Sequence, residues 1–373
     1  MNVARSSLWC IAAIAIGIAV STAPRTAGAQ TDQEAATVAA AGGSSYMIHN
    51  LVSDGSIGAD HTDADLVNPW GLVFNPNAVA WVADNGKGLS SFYDGMGVKR
   101  GKVQIPPPPA AAGPSKPTGV VYSGGSDFVV TSGSHSGPSR FIFSTEDGTV
   151  AGWSPDADPA RAILVVKNLS SGAIYKGLAL AANGTGHLLY ATDFHNGKVD
   201  VFDAAFHHVT LAGNFTDPNL PRGYAPFGIQ NVLGALFVTY AKQDRDAEDD
   251  VKGDGFGFVD VFNADGQLIR RFASRGALDA PWGIALAPAD FGRFSNTLLV
   301  GNFGNGRITA FDLATGEFKG QLHKANGHTL ILDGLWAIAF GNGLLGQETN
   351  SLFFTAGPSD EMHGVYGRID VVR

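Results

Sequence analysis

A three-residue phrase that ends in Gly or Ala recurs six times along this chain, and each copy opens an apolar run. The copies lie 48 to 58 residues apart. A period near 50 residues, with β-branched alternation and Gly-Asn turns between the copies, is typical of a β-propeller. The six copies are Pro69-Trp70-Gly71, Pro117-Thr118-Gly119, Tyr175-Lys176-Gly177, Pro226-Phe227-Gly228, Pro281-Trp282-Gly283 and Leu335-Trp336-Ala337.

The repeat predicts an all-β fold, a six-bladed β-propeller over residues 46–373 with four strands in each blade. The small third residue of the phrase has a physical cause, because the innermost strands crowd at the axis and only Gly or Ala lets six backbones approach. The last repeat lacks a fourth strand, and residues 46–52 form a strand-like segment that belongs to no other blade. We expect this N-terminal strand to complete the last blade and close the ring. The blades are predicted to start near residues 69, 117, 175, 226, 281 and 335.

Residues 1–29 have the pattern of an export signal peptide. Arg5 supplies the positive end, residues 8–20 the apolar stretch, and Ala27-Gly28-Ala29 a small-residue cleavage site. The apolar stretch is short for a membrane span, so we expect cleavage, no span in the mature chain, and export to the periplasm or the medium. The alternative is an uncleaved anchor. Residues 30–45 are rich in Ala, Gly, Ser and Thr and predict a flexible lead-in.

Composition limits the partners. The formal net charge is −9 and there is no basic cluster, which argues against nucleic acid and anionic membranes. Cys10 is the only cysteine and lies in the signal peptide, so the mature chain has no disulfide and no thiol nucleophile. A Gly-x-Ser-x-Gly elbow and a phosphate-binding glycine loop are both missing from the sequence. We expect a monomer.

Polar residues end the second strand of most blades, at one shared structural position. Carboxylates that converge on an axis repel one another unless a cation or a proton lies between them. Oxygen ligands favour Ca²⁺ or Mg²⁺. One hypothesis is therefore a divalent cation at the mouth of the channel; the alternative is that each side chain caps its own turn. The candidate metal ligands are Asp84, Glu146, Asp193 and Asn302.

The middle residue of the phrase is expected to face the same mouth. Aromatic rings there could stack on sugars or flat ligands, or could pack between blades. Lys176 takes the place of an aromatic residue, and it either neutralises neighbouring acids or binds an anionic substrate. Lys176, His195 and Tyr240 are the candidate acids or bases of a catalytic reaction. The candidate ligand-binding residues are Trp70, Phe227, Trp282 and Trp336.

Blade 4 carries an acidic insert at residues 242–254. It lacks the central Gly and the terminal Glu of a helix-loop calcium site. We interpret it as a solvated loop, long enough to fold over the mouth.

Three strings resemble one known group. They are Asn68-Pro69-Trp70-Gly71-Leu72, Trp81-Val82-Ala83-Asp84-Asn85-Gly86 and Phe143-Ser144-Thr145-Glu146-Asp147-Gly148-Thr149-Val150-Ala151-Gly152-Trp153. The resemblance, over residues 46–373, is to an uncharacterised family of exported bacterial proteins related to NHL-repeat six-bladed propellers. It implies the fold and export, and it brings no established activity. The wider group includes lyases and hydrolases that use a cation at the channel mouth, but their general-base histidine has no secure counterpart here.

Three functions stay open from the sequence. The first is a binding module that uses the channel mouth for a small ligand, a glycan or a protein. The second is a lyase or hydrolase dependent on a divalent metal at the same mouth. The third is a structural envelope protein without a ligand.

Overall fold

The computed structural model describes residues 44–109 and 111–372, and nearly all of its regular structure is β. Six antiparallel sheets follow one another, and their innermost strands make contact in chain order until the last meets the first. The chain therefore folds as a six-bladed β-propeller, as the repeat predicts. The predicted signal peptide and nearly all of the predicted lead-in fall outside the described residues.

The strands follow the predicted blades closely. Two strands precede the first blade: β1 (Ser45–Ser53) and β2 (His61–Thr62). Blade 1 holds β3 (Pro69–Phe74), β4 (Ala80–Asp84), β5 (Leu89–Tyr93) and β6 (Lys99–Gln104). Blade 2 holds β7 (Pro117–Tyr122), an inserted hairpin of β8 (Val129–Ser132) and β9 (His135–Pro138), then β10 (Phe141–Thr145), β11 (Thr149–Trp153) and β12 (Ile163–Lys167).

Blade 3 holds β13 (Tyr175–Asn183), β14 (Gly186–Asp193) and β15 (Lys198–Phe202). Blade 4 holds β16 (Tyr224–Val232), β17 (Ala235–Lys242), β18 (Gly257–Phe262) and β19 (Leu268–Ser274). Blade 5 holds β20 (Pro281–Leu286), β21 (Thr297–Asn302), β22 (Ile308–Asp312) and β23 (Phe318–Gln321). Blade 6 holds β24 (Leu335–Phe340), β25 (Leu352–Ala356) and β26 (Val365–Val372). Single turns of 3₁₀-helix occur at Asn85–Lys87, Leu169–Ser171 and Gly292–Phe294.

Each copy of the repeated phrase lies in an innermost strand, where the backbones of adjacent blades nearly touch. A Cβ atom added to Gly71 would lie 2.5 Å from the carbonyl oxygen of Thr118 in the next blade. One added to Gly283 would lie 2.6 Å from the carbonyl oxygen of Trp336. These distances are too short for a carbon–oxygen contact, so the glycines are required by the approach of the strands.

The ring is closed by the N-terminal strand. Strand β1 pairs antiparallel with β26, with Ile48 opposite Ile369 and Met47 opposite Asp370. The sheet order is β2-β1-β26-β25-β24, so the first strand of the chain supplies the strand that blade 6 lacks. The Tyr46 hydroxyl donates a hydrogen bond of 3.0 Å to the carbonyl oxygen of Phe291, which ties the closing strand to blade 5. The predicted closure is confirmed.

Blade 3 departs from the prediction of four strands. Its sheet contains three, and the outer position holds only a bridge between Phe202 and His208. The chain then continues along blade 4, where the Gly213 amide donates a hydrogen bond of 2.8 Å to the carbonyl oxygen of Asp265. Phe215 follows and packs among buried residues of blades 3 and 4. The prediction was wrong here because this segment finds its hydrogen-bond partners in the neighbouring blade.

Within residues 44–109 and 111–372, no helix is long and apolar enough to cross a bilayer.

We expect Gly283→Ala to destabilise the protein by about 1–3 kcal/mol, because the added methyl group meets rigid backbone atoms. The usual gain from replacing a strand glycine with alanine is smaller than this cost. Gly184→Ala is the matched control, since a Cβ there meets no atom within 4 Å. Urea denaturation measures both variants. Equal stabilities would contradict the steric role of Gly283.

Candidate functional site

One end of the propeller gathers a loop from every blade, namely the loop that follows each second strand. These loops surround the axis and present polar and aromatic side chains to it. This shared end is the mouth that the sequence predicts. The residues contributed, in blade order, are Asn85, Glu146, Phe194, the insert residues Asp249, Asp250 and Lys252, then Phe303, and finally Asp360 and Glu361.

Aromatic residues of the repeated phrase, together with Phe303 of the blade 5 loop, close the axis. The rings of Trp70 and Trp336 stack with centroids 3.5 Å apart, and Phe303 stacks on Trp336 at 4.0 Å. Trp282 meets both tryptophans edge-on, and Phe227 packs against Trp336. We call these five rings the aromatic plug.

The plug changes the interpretation of the four predicted ligand-binding residues. Trp70, Phe227, Trp282 and Trp336 are all buried, with at most 9% of their surface exposed. The packing alternative therefore holds for Phe227 and Trp282. Trp70 and Trp336 also line an open depression above the plug. Below the plug the channel encloses only about 40 Å³, which is room for little more than water.

Lys176 is a buried cation at the centre of the mouth. Its Nζ lies 2.6 Å from Oε1 of Glu146 and 3.1 Å from Oδ1 of Asp249, and its side chain is 2% exposed. Burial alone lowers a lysine pKa, but the two carboxylates outweigh it and hold the pKa of Lys176 above its ordinary value. The same ion pair outweighs burial at Glu146 and lowers the pKa of that carboxyl. Lys176 thus neutralises neighbouring acids, the first of the two roles predicted for it.

Hydrogen bonds connect side chains of blades 1, 2 and 6 at the mouth. The Asn85 amide donates to Oε2 of Glu146 at 3.0 Å. The Asn68 amide donates to Oε2 of Glu361 at 3.2 Å, and its oxygen accepts from Nε1 of Trp336 at 3.1 Å. Both carboxylates are therefore fixed by neutral donors from blade 1.

The depression above the plug has a volume of about 200 Å³. Four acidic side chains and two lysines surround its aromatic floor, so its lining carries a net negative formal charge. Burial raises the pKa of Asp250 to about 6. Burial, with Glu146 nearby, raises the pKa of Glu361 to about 7. The lining residues are Trp70, Lys176, Asp249, Asp250, Lys252, Phe303, Trp336, Asp360 and Glu361.

The turn that carries Glu361 has an unusual backbone. Ser359, Asp360 and Glu361 all have positive φ angles, of 59°, 51° and 64°. Left-handed conformations of non-glycine residues cost about 1 kcal/mol or more each and are concentrated at functional sites. The Ser359 amide donates to Oδ2 of Asp333 at 2.9 Å, which helps to hold the turn.

The predicted metal ligands do not converge. In the part of the chain that the structure describes, no group of three or more His, Cys, Asp or Glu side chains could hold a metal ion. Asp193 accepts from the Asn196 amide at 2.8 Å and caps its own turn, and Asn302 accepts from the backbone amide of Asp279 at 2.9 Å. Asp84 is fully buried and accepts from the Ser91 amide at 3.0 Å, and burial raises its pKa.

Of the four, only Glu146 reaches the central network. Asp193 caps its own turn, as in the alternative that the sequence left open, whereas Asp84 and Asn302 accept from backbone amides outside their turns. Ca²⁺ or Mg²⁺ binding stays a prediction.

Two of the three candidate acids or bases lie away from the depression. Nδ1 of His195 is 3.3 Å from the carbonyl oxygen of Ala247, so this side chain contacts the insert. Tyr240 is 1% exposed, and its hydroxyl lacks a hydrogen-bond partner among the described residues. Burial raises the pKa of Tyr240 well above its ordinary value, and the Asp260 carboxylate adds to the effect. Lys176 is the one candidate that lines the depression.

Sequence reasoning missed several residues of the mouth. The insert was interpreted as a solvated loop, yet Asp249 pairs with Lys176 and Asp250 lines the depression. The repeat could not identify Glu361 and Phe303 as residues of the mouth, because loop residues vary in type and spacing from blade to blade. Asn68 and Asn85 lay inside strings already singled out, and their position beside Pro69 and Asp84 was the only available signal.

Comparison with known proteins gives close relatives in a virus. The chain is 35% identical over 334 residues to uncharacterized protein R648 of Acanthamoeba polyphaga mimivirus, covering 87% of this chain and 80% of that protein. It is 34% identical over 302 residues to uncharacterized protein L690 of the same virus, covering 79% and 78%. The chain belongs to the family of these mimivirus proteins. No family model matches it.

Solved structures share the fold at low sequence identity. Virginiamycin B lyase from Staphylococcus aureus has a TM-score of 0.51 and 12% identity, covering 88% of this chain and all of that one. A glucose dehydrogenase has a TM-score of 0.52 and 13% identity, covering 86% and 98%. At these identities the likeness extends to the propeller architecture alone.

We expect Lys176→Met to lower the free energy of unfolding by about 3 kcal/mol, because it leaves Glu146 without its cation in a largely buried site. Adding Glu146→Gln should restore part of the loss. Lys319→Met is the matched control, since Lys319 is 38% exposed and its ion-pair partner Glu317 is 69% exposed, and exposed pairs contribute little to stability. Urea denaturation at pH 7 measures all three variants. Equal losses for the two lysines would contradict the central role of Lys176.

We expect Glu361→Gln to weaken the pH dependence of stability. A carboxyl with a raised pKa holds its proton more tightly in the folded chain than in the unfolded one. Its contribution is therefore complete below its unfolded pKa and is lost as the pH rises towards 7. The decline in melting temperature between pH 5 and pH 8 should be shallower in this variant.

Residual pH dependence is expected in Glu361→Gln, because Asp250 and Asp260 also have raised pKa values. The control is Glu348→Gln, an exposed glutamate outside the mouth, which should follow the wild type. A Glu361→Gln curve parallel to the wild type would contradict the raised pKa.

Proposed function

We propose that this protein is a binding module that takes a small ligand in the depression at the mouth of the propeller. The observation that carries the proposal is the composition of the depression, an aromatic floor beneath a ring of charged groups. Binding sites of this kind combine apolar surface with a few fixed polar groups.

The construction of the mouth supports this use. Lys176 and Glu146 bond to each other and to Asn85 of blade 1 and Asp249 of blade 4, so groups from four blades are fixed together before any ligand arrives. The left-handed turn at residues 359–361 carries two of the acidic lining residues. Strain of this kind persists only where the surrounding structure imposes it. A preformed site loses less entropy on binding than a site that has to be ordered.

We further propose that the module works outside the cytoplasm as a monomer. The support comes from the sequence of residues 1–29 and from the resemblance to exported NHL-like propellers. A divalent-metal-dependent lyase or hydrolase at the same mouth, and a structural role without a ligand, are the alternatives that the experiment below distinguishes.

A ligand panel tests the proposal. The mature protein is titrated with glucose, citrate, methylammonium, CaCl2 and MgCl2 while melting temperature and tryptophan fluorescence are followed. We expect one class to raise the melting temperature by mass action and to change the fluorescence, since Trp70 and Trp336 line the depression. At pH 8, above the raised pKa values of both carboxyls, the double variant Asp250→Asn with Glu361→Gln should change the affinity of that ligand about tenfold, because it removes two negative charges from the site.

The control is Asp290→Asn, an exposed aspartate in the loop between the first two strands of blade 5. It should bind as the wild type does. A ligand whose affinity is the same in the double variant would place binding elsewhere and contradict the proposal. A response confined to CaCl2 or MgCl2 would favour the metal-dependent alternative, and no response to any class would favour the structural role.

A further inference from the structure

The aromatic faces of the depression already carry ammonium groups of the protein itself. Nζ of Lys252 lies 4.5 Å from the ring centre of Phe303, and Nζ of Lys176 lies 5.1 Å from that of Trp70. Both distances are within the range of cation–π attraction. The floor therefore attracts amines.

The two lysines differ in how firmly they are held. Lys176 is buried and paired with two carboxylates, so its position is fixed. Lys252 is exposed and stands on the insert of blade 4, and it makes no ion pair with any described residue within 4 Å. A cation–π contact at an exposed site is weak, so Lys252 can leave Phe303 at small cost.

Charge and hydrogen-bonding capacity favour a cation over an anion or a neutral ligand. The lining contains more acidic residues than basic ones. It has two lysines and four acids, namely Asp249, Asp250, Asp360 and Glu361. Oδ2 of Asp250 is buried and accepts no hydrogen bond among the described residues. A ligand with a positive charge would compensate the excess of acids, and an N–H or O–H group on it would supply the missing donor.

The aromatic floor favours organic ammonium ions over metal ions as ligands of the depression. A hard divalent cation needs several oxygen ligands at short range, and the described residues offer no group of three or more carboxylates or histidines placed to bind one. An alkylammonium ion uses aromatic faces together with a diffuse negative charge. The rings of Trp70, Phe303 and Trp336 provide the faces, and the four acids provide the charge.

We propose that the depression binds small organic ammonium ions and that Lys252 occupies the place of the ligand over Phe303 until one arrives. This inference rests on the proposed binding function and names its ligand class. The insert is anchored next to Lys252, where the Gly253 amide donates to Oδ1 of Asp279 at 2.7 Å. Displacing Lys252 therefore requires movement of its side chain only.

Calorimetric titration with a matched pair of probes at pH 8, above the raised pKa values of Asp250 and Glu361, tests the inference. Choline carries a quaternary ammonium group, and 3,3-dimethylbutan-1-ol has the same shape without the charge. We expect choline to bind the mature protein about tenfold more tightly than the alcohol, because only the cation gains from the rings and the acids. Raising NaCl should weaken choline binding through screening.

Variants of the occupying lysine give the second readout. Lys252→Gln removes the competing charge, and we expect it to tighten choline binding about threefold. Lys324→Gln changes an exposed lysine outside the lining and should leave the affinity unchanged. Equal affinity for choline and the alcohol would overturn the inference, and so would unchanged or weaker choline binding in Lys252→Gln.

The result also separates this inference from the proposed function. If choline and methylammonium fail to bind while another member of the panel binds with an affinity that Asp250→Asn with Glu361→Gln changes, the ligand class is wrong and the binding function stands. Binding of CaCl2 in place of choline overturns the ammonium class as well. If neither choline nor any member of the panel binds, both proposals fail.

Discussion

The close approach of six backbones at the axis is the constraint on which the rest of this structure depends. Gly71 and Gly283 lie so near the carbonyl oxygens of the next blade that no side chain fits between them. Hydrogen bonds across the same contacts hold the blades together, such as that from the Thr192 hydroxyl to the carbonyl oxygen of Phe227 at 2.7 Å. The residue that precedes each glycine is therefore carried to the mouth with it. Its position is a consequence of how the blades pack.

That consequence explains why the mouth is both aromatic and charged. Aromatic rings at four of the six equivalent positions fill the axis and exclude water. Lys176 stands at a fifth, and a buried ammonium group is unstable without partners. Glu146 from blade 2 and Asp249 from the insert supply them. The polar network of the mouth and the hydrophobic plug thus follow from one packing arrangement.

The strands could be predicted because each repeats a local pattern with a physical cause. The bounds of β4, β5 and β21 agree with the alternation in the sequence, and the closing strand was found from an unpaired segment at each end of the propeller. Blade 3 was mispredicted because Gly213 and Phe215 bond to the neighbouring blade, and local patterns carry no information about a partner that distant. Asp84, Asp193 and Asn302 share a position in the repeat, yet each accepts its hydrogen bond from a different neighbour: Ser91 of the next strand, Asn196 of the following turn, and Asp279 before blade 5.

The sequence by itself determined the architecture, since six spaced glycine or alanine positions and a β pattern admit one closed ring. It also determined which residues stand beside the axis. Only the tertiary structure decided which side chains are exposed there, because exposure depends on the loops of all six blades at once. Those loops bury Phe227 and Trp282, bring Asp250 and Glu361 to the depression, and place Lys252 over Phe303. Loop residues follow no period, so their meeting at the mouth is a property of the folded chain.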